Sequence, residues 1–328
     1  MKILMVCTCR PGKTKVGGDI GQAFSALGHE VAYYDFDDRP LALRLMPKAL
    51  RGERFAMRVA GAQNQALQRA VQRERPQFVL VVKGFLLDAA SVACVKAAGA
   101  VIAGYWIDDP LDHERALRLA RAYDVFFTNN AASVGSYREH GLARIHHLPS
   151  SANPQLFRPL GIPRDLPVAF IGTRTPGRHA LLDQLREFPI HVFGPGWPKV
   201  HLGGEIRIHP PAFGAMTNRI YNQAHINLNI HTWVGHGSAV NLRLFEVPAA
   251  GAFLLTDWVD EIADCYVEDR HISCYHGADD LKRKLEHFLA RPDECERIAR
   301  DGREHFLAHH SYASRAQRIL DHAKDLLR

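Results

Sequence analysis

Residues 237–257 read GSAVNLRLFEVPAAGAFLLTD. A glycine turn leads into a helix that carries Asn241, Arg243 and Glu246. A second glycine, Gly251, stops that helix, and the run AFLLTD after it reads as a buried strand. Helix, glycine stop and apolar strand together make half of a strand–helix–strand unit of a parallel sheet. Asn241 falls in the first helical turn, where a side chain meets free amides or a ligand. Glu246 falls between LF and VPAAG. A carboxylate in such surroundings is costly unless it receives hydrogen bonds, and vicinal ribose hydroxyls are one donor pair that would supply them. Arg243, three residues earlier on the same face, is the competing partner.

The same rhythm extends upstream and downstream. PVAFIGT (167–173), IHVFGPG (190–196), EIRIHP (205–210), INLNIH (226–231) and HISCYHG (271–277) read as strands, with HALLDQLREF and FGAMTNRIYNQA as helices among them. From Asp279 onward the pattern is helical. Asp279 or Asp280 is expected to cap the first of these helices, and Pro292 to open the next. In the first half, KILMVCTC, EVAYYDF, QFVLVVK, AVIAGYWI, DVFFTN and ARIHHLP alternate with helical stretches. Between the halves, residues 150–167 hold four prolines and no periodicity, which marks a linker. The expectation is an α/β chain of two doubly wound domains, 1–152 and 153–328.

Composition agrees. A chain of 328 residues is too long for one ordinary core. With 47% hydrophobic and 23% charged residues it is neither disordered, collagenous nor a coiled coil. Its longest apolar run, 97–107, falls short of the ~20 residues a membrane-spanning helix needs. The opening MKILMVCTCR reads as a first buried strand rather than a signal peptide, so a cytoplasmic location is expected. Six cysteines, at 7, 9, 94, 265, 274 and 295, form no CxxC pair and read as reduced core thiols.

Three further segments are candidates for chemistry. CTCRPGKTKVGGDIG contains Gly12-Lys13-Thr14, but Cys7 stands where a phosphate-binding loop needs its first glycine, and GxGxxG is absent. What remains is Gly17-Gly18 opening a helix, either for close approach of a ligand or as a plain strand–helix turn. YWIDDP (105–110) lies at the carboxyl end of a predicted central strand, where open α/β sheets bind ligands. Asp108 and Asp109 there are candidates to orient hydroxyls, with Trp106 as a stacking face; helix capping by Asp109 or Asp112 is the competing reading. FIGTRTPGR (170–178) joins small residues, a threonine hydroxyl and two arginines to the start of a helix. Gly172, Thr173, Arg174 and Arg178 are thus an anion site in outline. The nineteen histidines show neither HExxH nor zinc spacing; His225, His231 and His236 cluster near the sheet edge of the second half, where one is a candidate to touch a ligand and the competing reading for each is a surface or partly buried polar residue.

Net charge is +6, yet residues 39–75 alone hold nine Lys or Arg against Glu53 and Glu74, a local +7. Without aromatic interleaving or a binding motif this is no nucleic-acid surface. Its amphipathic spacing is a candidate for peripheral contact with an anionic membrane, for attracting an acidic acceptor, or for a solvated helix face.

The second half resembles the spore maturation protein CgeB-like glycosyltransferases. The motifs are VAFIGTRTPGR, VFGPGW, YNQAHINLNIH, NLRLFEVPAAGAFLLTD and REHFLAHHSYASR, over roughly residues 143–320. The resemblance implies the GT-B fold: two Rossmann-like domains facing across a cleft, with C-terminal helices packing back. It implies a retaining, metal-independent transfer of a sugar from a nucleotide diphosphate sugar to a glycan, protein or small-molecule acceptor, without a further cofactor. By the same resemblance Glu246 matches the ribose-binding glutamate, and Gly172, Thr173 and Arg178 the diphosphate region. Arg174, Asn241 and Arg243 join them as donor-binding, Asp108 and Asp109 as catalytic, and Gly17, Gly18 and Trp106 as acceptor-side residues. Ser238 replaces the family's first glutamate. An epimerase of the same fold and a non-catalytic sugar-nucleotide binder are the alternatives.

Overall fold

The computed structural model describes residues 1–7, 16–36, 53–84, 87–232 and 240–327. Cys9, His236, Ser238 and those basic residues of 39–75 that precede Glu53 lie outside them. The chain forms two compact units, 1–149 with 312–328, and 150–311.

The first unit is a six-stranded sheet of β1 (Lys2–Cys7), β2 (Glu30–Asp35), β3 (Phe78–Val82), β4 (Val101–Trp106), β5 (Val125–Thr128) and β6 (Ile145–His147). Their order is β2-β1-β3-β4-β5-β6, parallel throughout. Ile3, Leu4, Met5 and Val6 are all buried, as a strand covered on both faces requires. Helix Val16–Ala26 follows β1, and Gly17 starts it for a packing reason. A Cβ there would collide with the side chain of Cys7. Gly18 has open space around it. The chain runs from β1 outward to β2 and returns to β3 on the other side, so the switch point of this sheet lies between β1 and β3.

The second unit repeats the plan with β7 (Leu166–Ile171), β8 (Ile190–Phe193), β9 (Arg207–His209), β10 (Ala224–Asn229), β11 (Leu254–Asp257) and β12 (Ser273–Tyr275). Their order is β12-β11-β10-β7-β8-β9, again parallel. Here the switch point lies between β7 and β10. Helix Ala278–Leu289 has Gly277 as its N-cap, not Asp279 or Asp280; Asp280 sits in the first turn and accepts the His276 N–H at 2.9 Å. Pro292 does open helix Pro292–His309.

The last segment corrects the boundary expected from sequence. Residues 312–328 belong to the first unit rather than to 153–328. Helix Tyr312–Ala323 lays Ala316, Ile319 and Ala323 against Val16, Ile20 and Phe24. Arg315 donates to the Pro149 carbonyl at 2.9 Å and Arg318 to that of His147 at 3.1 Å. The apolar stripe of helix Glu53–Glu74 is likewise turned inward: Leu67 and Val71 join the first unit's core, while Arg58, Arg69 and Arg73 are exposed. Among the described residues no helix is long and apolar enough to cross a membrane.

Candidate active site

The second unit concentrates polar groups at the carboxyl ends of β7, β10 and β11. The loop after β7 is laced to the loop after β8. Gly172 N–H donates to the Phe193 carbonyl at 2.9 Å and Arg174 N–H to that of Pro195 at 2.9 Å. Buried Trp197 donates its indole N–H to the Gly172 carbonyl at 2.7 Å. A Cβ at Gly172 would press on the Phe170 ring and the Arg178 guanidinium, which is why glycine stands there. Thr175 then caps helix Pro176–Asp183, its hydroxyl accepting from the Arg178 N–H at 3.3 Å.

The two arginines of this loop part company. Arg174 is exposed, its Nε–H donating to His179 Nδ1 at 3.2 Å. Arg178 is buried and turned inward. Its Nη1 donates to the Thr173 carbonyl at 3.0 Å, and Nε and Nη2 both donate to the Ile230 carbonyl, at 3.0 and 2.6 Å. It therefore bolts the loop after β7 to the end of β10, across the switch point. Burial first, and then the neighbouring Arg243, push its pKa down to about 10, against the upward pull of Asp257 and Tyr275.

Helix Arg243–Ala249 enters from the other side. Asn241 accepts the Arg243 N–H on its Oδ1 at 3.1 Å and donates Nδ2 to Asn229 Oδ1 at 3.0 Å. Asn229 in turn donates to Thr256 Oγ1 at 2.9 Å. The Arg243 guanidinium donates Nε–H to the Ile171 carbonyl, tying this helix to the end of β7. Glu246 is half-buried, and its Oε2 accepts the Tyr221 hydroxyl at 2.9 Å. Burial, with Glu246 beside it, drives the Tyr221 phenol far above its ordinary range, so it stays a donor.

The sequence did not single out three members of this network. Tyr221 lies in YNQAH on helix Ala215–Gln223 and looks like an ordinary core aromatic. Asn229 and Asp257 close the strand motifs INLNIH and AFLLTD, and a polar residue at the carboxyl end of a buried strand is the signal that marks them. Two of the histidines separate: His225 lies near the start of β10, His231 just beyond its carboxyl end.

In the first unit the acidic pair splits. Asp108 pairs with Lys83 at 2.6 Å, both partly exposed at the ends of β4 and β3. Lys83 is a further residue the sequence left unmarked. Asp109 is buried. It accepts from His113 Nδ1 at 2.9 Å, from the Tyr137 hydroxyl at 2.9 Å and from the Thr128 hydroxyl. Its own N–H donates to Asn129 Oδ1 at 3.2 Å. That arrangement orders the segment rather than presenting a reactive carboxylate. Trp106 is 1% exposed, with its indole N–H on the Leu111 carbonyl at 3.2 Å. It is core, and the expected stacking face is absent because the ring lies under the sheet's helices among Val81, Ala116 and Tyr137.

A doubled parallel sheet, each half with its polar groups at the carboxyl edge, is the GT-B fold. Residues 174–321 match the glycosyl transferase-like family model. Within that class the chain is similar to Spore protein CgeB of Bacillus subtilis (strain 168), 23% identical over 251 residues, which cover 70% of this chain and 77% of the relative. The fold is similar to sucrose-phosphate synthase from Thermosynechococcus elongatus, with a TM-score of 0.69 at 13% identity over 99% of this chain and 98% of the other. It is also similar to Anabaena HepE in complex with UDP-glucose, with a TM-score of 0.67 at 10% identity over 99% and 100%.

Proposed function

We propose that the chain transfers a sugar, with retention, from a nucleotide diphosphate sugar held by the second unit to an acceptor hydroxyl served by groups of the first. The observation that carries the donor half is Glu246. Its Oε2 is held by Tyr221 at 2.9 Å in the first turn of a helix whose start is tied to the end of β7. A carboxylate so oriented suits two vicinal ribose hydroxyls. Thr173, Arg174 and Arg243, with the amide end of helix Pro176–Asp183, are the groups for the diphosphate. Charge developing on the departing nucleoside diphosphate would be met by guanidinium groups and helix amides. Arg178 supports this set by holding the loop. The likeness in fold to a protein whose structure holds UDP-glucose supports the same class of donor. Retention rests on the family resemblance. In the first unit, the Lys83–Asp108 pair is the candidate for positioning an acceptor hydroxyl.

The test is calorimetry with UDP, GDP and dTDP on the wild type and on Glu246→Gln. The variant should bind the preferred nucleotide at least about tenfold more weakly, since a hydrogen bond to a charged group contributes ~1.5–3 kcal/mol. Unchanged affinity removes the ribose role. Incubation of the corresponding sugar nucleotide with EDTA present should still release nucleoside diphosphate; loss restored by manganese overturns the metal-independent reading.

A further inference from the structure

His231 follows the carboxyl end of β10 by two residues, at the switch point beside β7. Its backbone N–H donates to both oxygens of the Asp257 carboxylate, at 3.0 and 2.9 Å, and its ring Nδ1 lies 2.7 Å from Asp257 Oδ1. A carboxylate only accepts, so Nδ1 carries the hydrogen and Nε2 faces away from Asp257. The residue is 5% exposed, and Nε2 is buried with no hydrogen-bond partner among the described residues. A buried polar atom left unpaired costs free energy, and in a native structure it calls for an explanation.

The surroundings supply one. The Ile230 carbonyl, in the peptide unit that leads into His231, takes two bonds from Arg178, whose third goes to Thr173. One guanidinium thus fixes the imidazole beside the loop of the donor-site reading. The ionisable groups that act on Arg178 come from three further elements: Arg243 from helix Arg243–Ala249, Asp257 from β11 and Tyr275 from β12. Burial drives the Tyr275 phenol well above its ordinary range, and its hydroxyl donates to the Asn229 carbonyl at 3.0 Å, so it stays neutral. Arg178 lies in the field of both Arg243 and Asp257, and burial disfavours its charge. An anion entering here would relieve that cost.

We propose that His231, oriented by Asp257, contacts the diphosphate: its Nε2–H donates to a phosphate oxygen of the nucleoside diphosphate. This deepens the donor-site reading and rests on it. The imidazole takes one proton from solvent as the anion binds, then donates Nδ1–H to Asp257 and Nε2–H to phosphate. No proton passes to the sugar. His231 holds the leaving group as its negative charge grows.

The test uses inorganic pyrophosphate, which carries the diphosphate without base or ribose. In wild-type protein with 15N-labelled histidine, pyrophosphate should move the His231 Nε2 resonance to its protonated position at pH 7. By calorimetry His231→Gln should bind pyrophosphate about ten- to a hundredfold more weakly, while uridine, guanosine and thymidine bind as before. An unmoved resonance at saturation, no binding of pyrophosphate, or equal affinities of variant and wild type overturns the proposal; the resonance decides even where the variant fails to fold. Nucleotides that bind variant and wild type alike leave the donor reading standing without His231. Pyrophosphate that binds through His231 while no nucleotide binds leaves His231 standing and removes the donor reading.

Discussion

Arg178 donates twice to the carbonyl oxygen of Ile230, at 3.0 and 2.6 Å, from a buried position between the ends of β7 and β10. An arginine that reads from sequence as a phosphate ligand is a strut between two loops. Arg178→Ala leaves the carbonyls of Thr173 and Ile230 without this donor, and each buried unsatisfied group costs ~1–3 kcal/mol. Thermal unfolding should show a loss of at least ~2 kcal/mol. Arg174→Ala, on an exposed side chain, should leave the melting temperature in place and weaken nucleotide binding alone. Equal melting temperatures for the two variants would return Arg178 to the role of ligand.

The two aspartates of the first unit should separate in the same way. Asp109→Asn replaces a buried acceptor of three side-chain donors by one that also carries an amide donor, and a destabilisation of ~2–3 kcal/mol is expected in urea unfolding. Asp108→Asn breaks a partly exposed pair with Lys83 and should cost stability under ~1 kcal/mol. It should lower turnover at unchanged donor affinity. If Asp108→Asn is as active as the wild type, the acceptor role passes to another group.

Acid should destabilise the protein through its histidines. His146 stacks on His322 with ring centroids 3.7 Å apart, and burial first, with His322 and two arginines behind it, lowers its pKa to about 4. His191, His209, His271, His305 and His322 are lowered as well, each chiefly by burial. As pH drops below the unfolded value of ~6.5 the unfolded chain binds protons that the native state does not. Stability present above pH ~6.5 is therefore lost progressively toward pH 4. Urea midpoints measured from pH 7.5 to 4.5 should decline, and His146→Phe should decline less steeply; an identical slope would remove His146 from the account.

Helix Glu53–Glu74 carries Arg58, Arg69 and Arg73 outward and Leu67 and Val71 inward. Association with an anionic membrane would therefore be electrostatic, at ~1 kcal/mol per basic residue near the lipid, without insertion of that apolar stripe. Co-sedimentation with phosphatidylserine vesicles is expected at low ionic strength and release at high salt. Protein that stays in the supernatant at low salt makes the basic face a solvated one.

The parallel sheets, their alternation with helices and the linker beginning near residue 150 were determined by the sequence itself. Apolar runs bounded by glycine and proline are local signals. Glu246 was legible for the same reason, as a charge set in a run that otherwise buries. Tertiary structure decided what local pattern does not hold. Asp108 and Asp109 are neighbours in the chain, yet the strand's end turns one toward Lys83 and the other into a pocket built by Thr128, His113 and Tyr137. Arg178 and Ile230 are 52 residues apart, His231 and Asp257 26, and only the strand order β11-β10-β7 brings each pair together. The helix at 312–323 reads as the end of the second domain but packs on the first, because its apolar face fits Val16, Ile20 and Phe24. Hydrophobic periodicity records that a face is buried; which partner buries it depends on contacts between residues far apart in the chain.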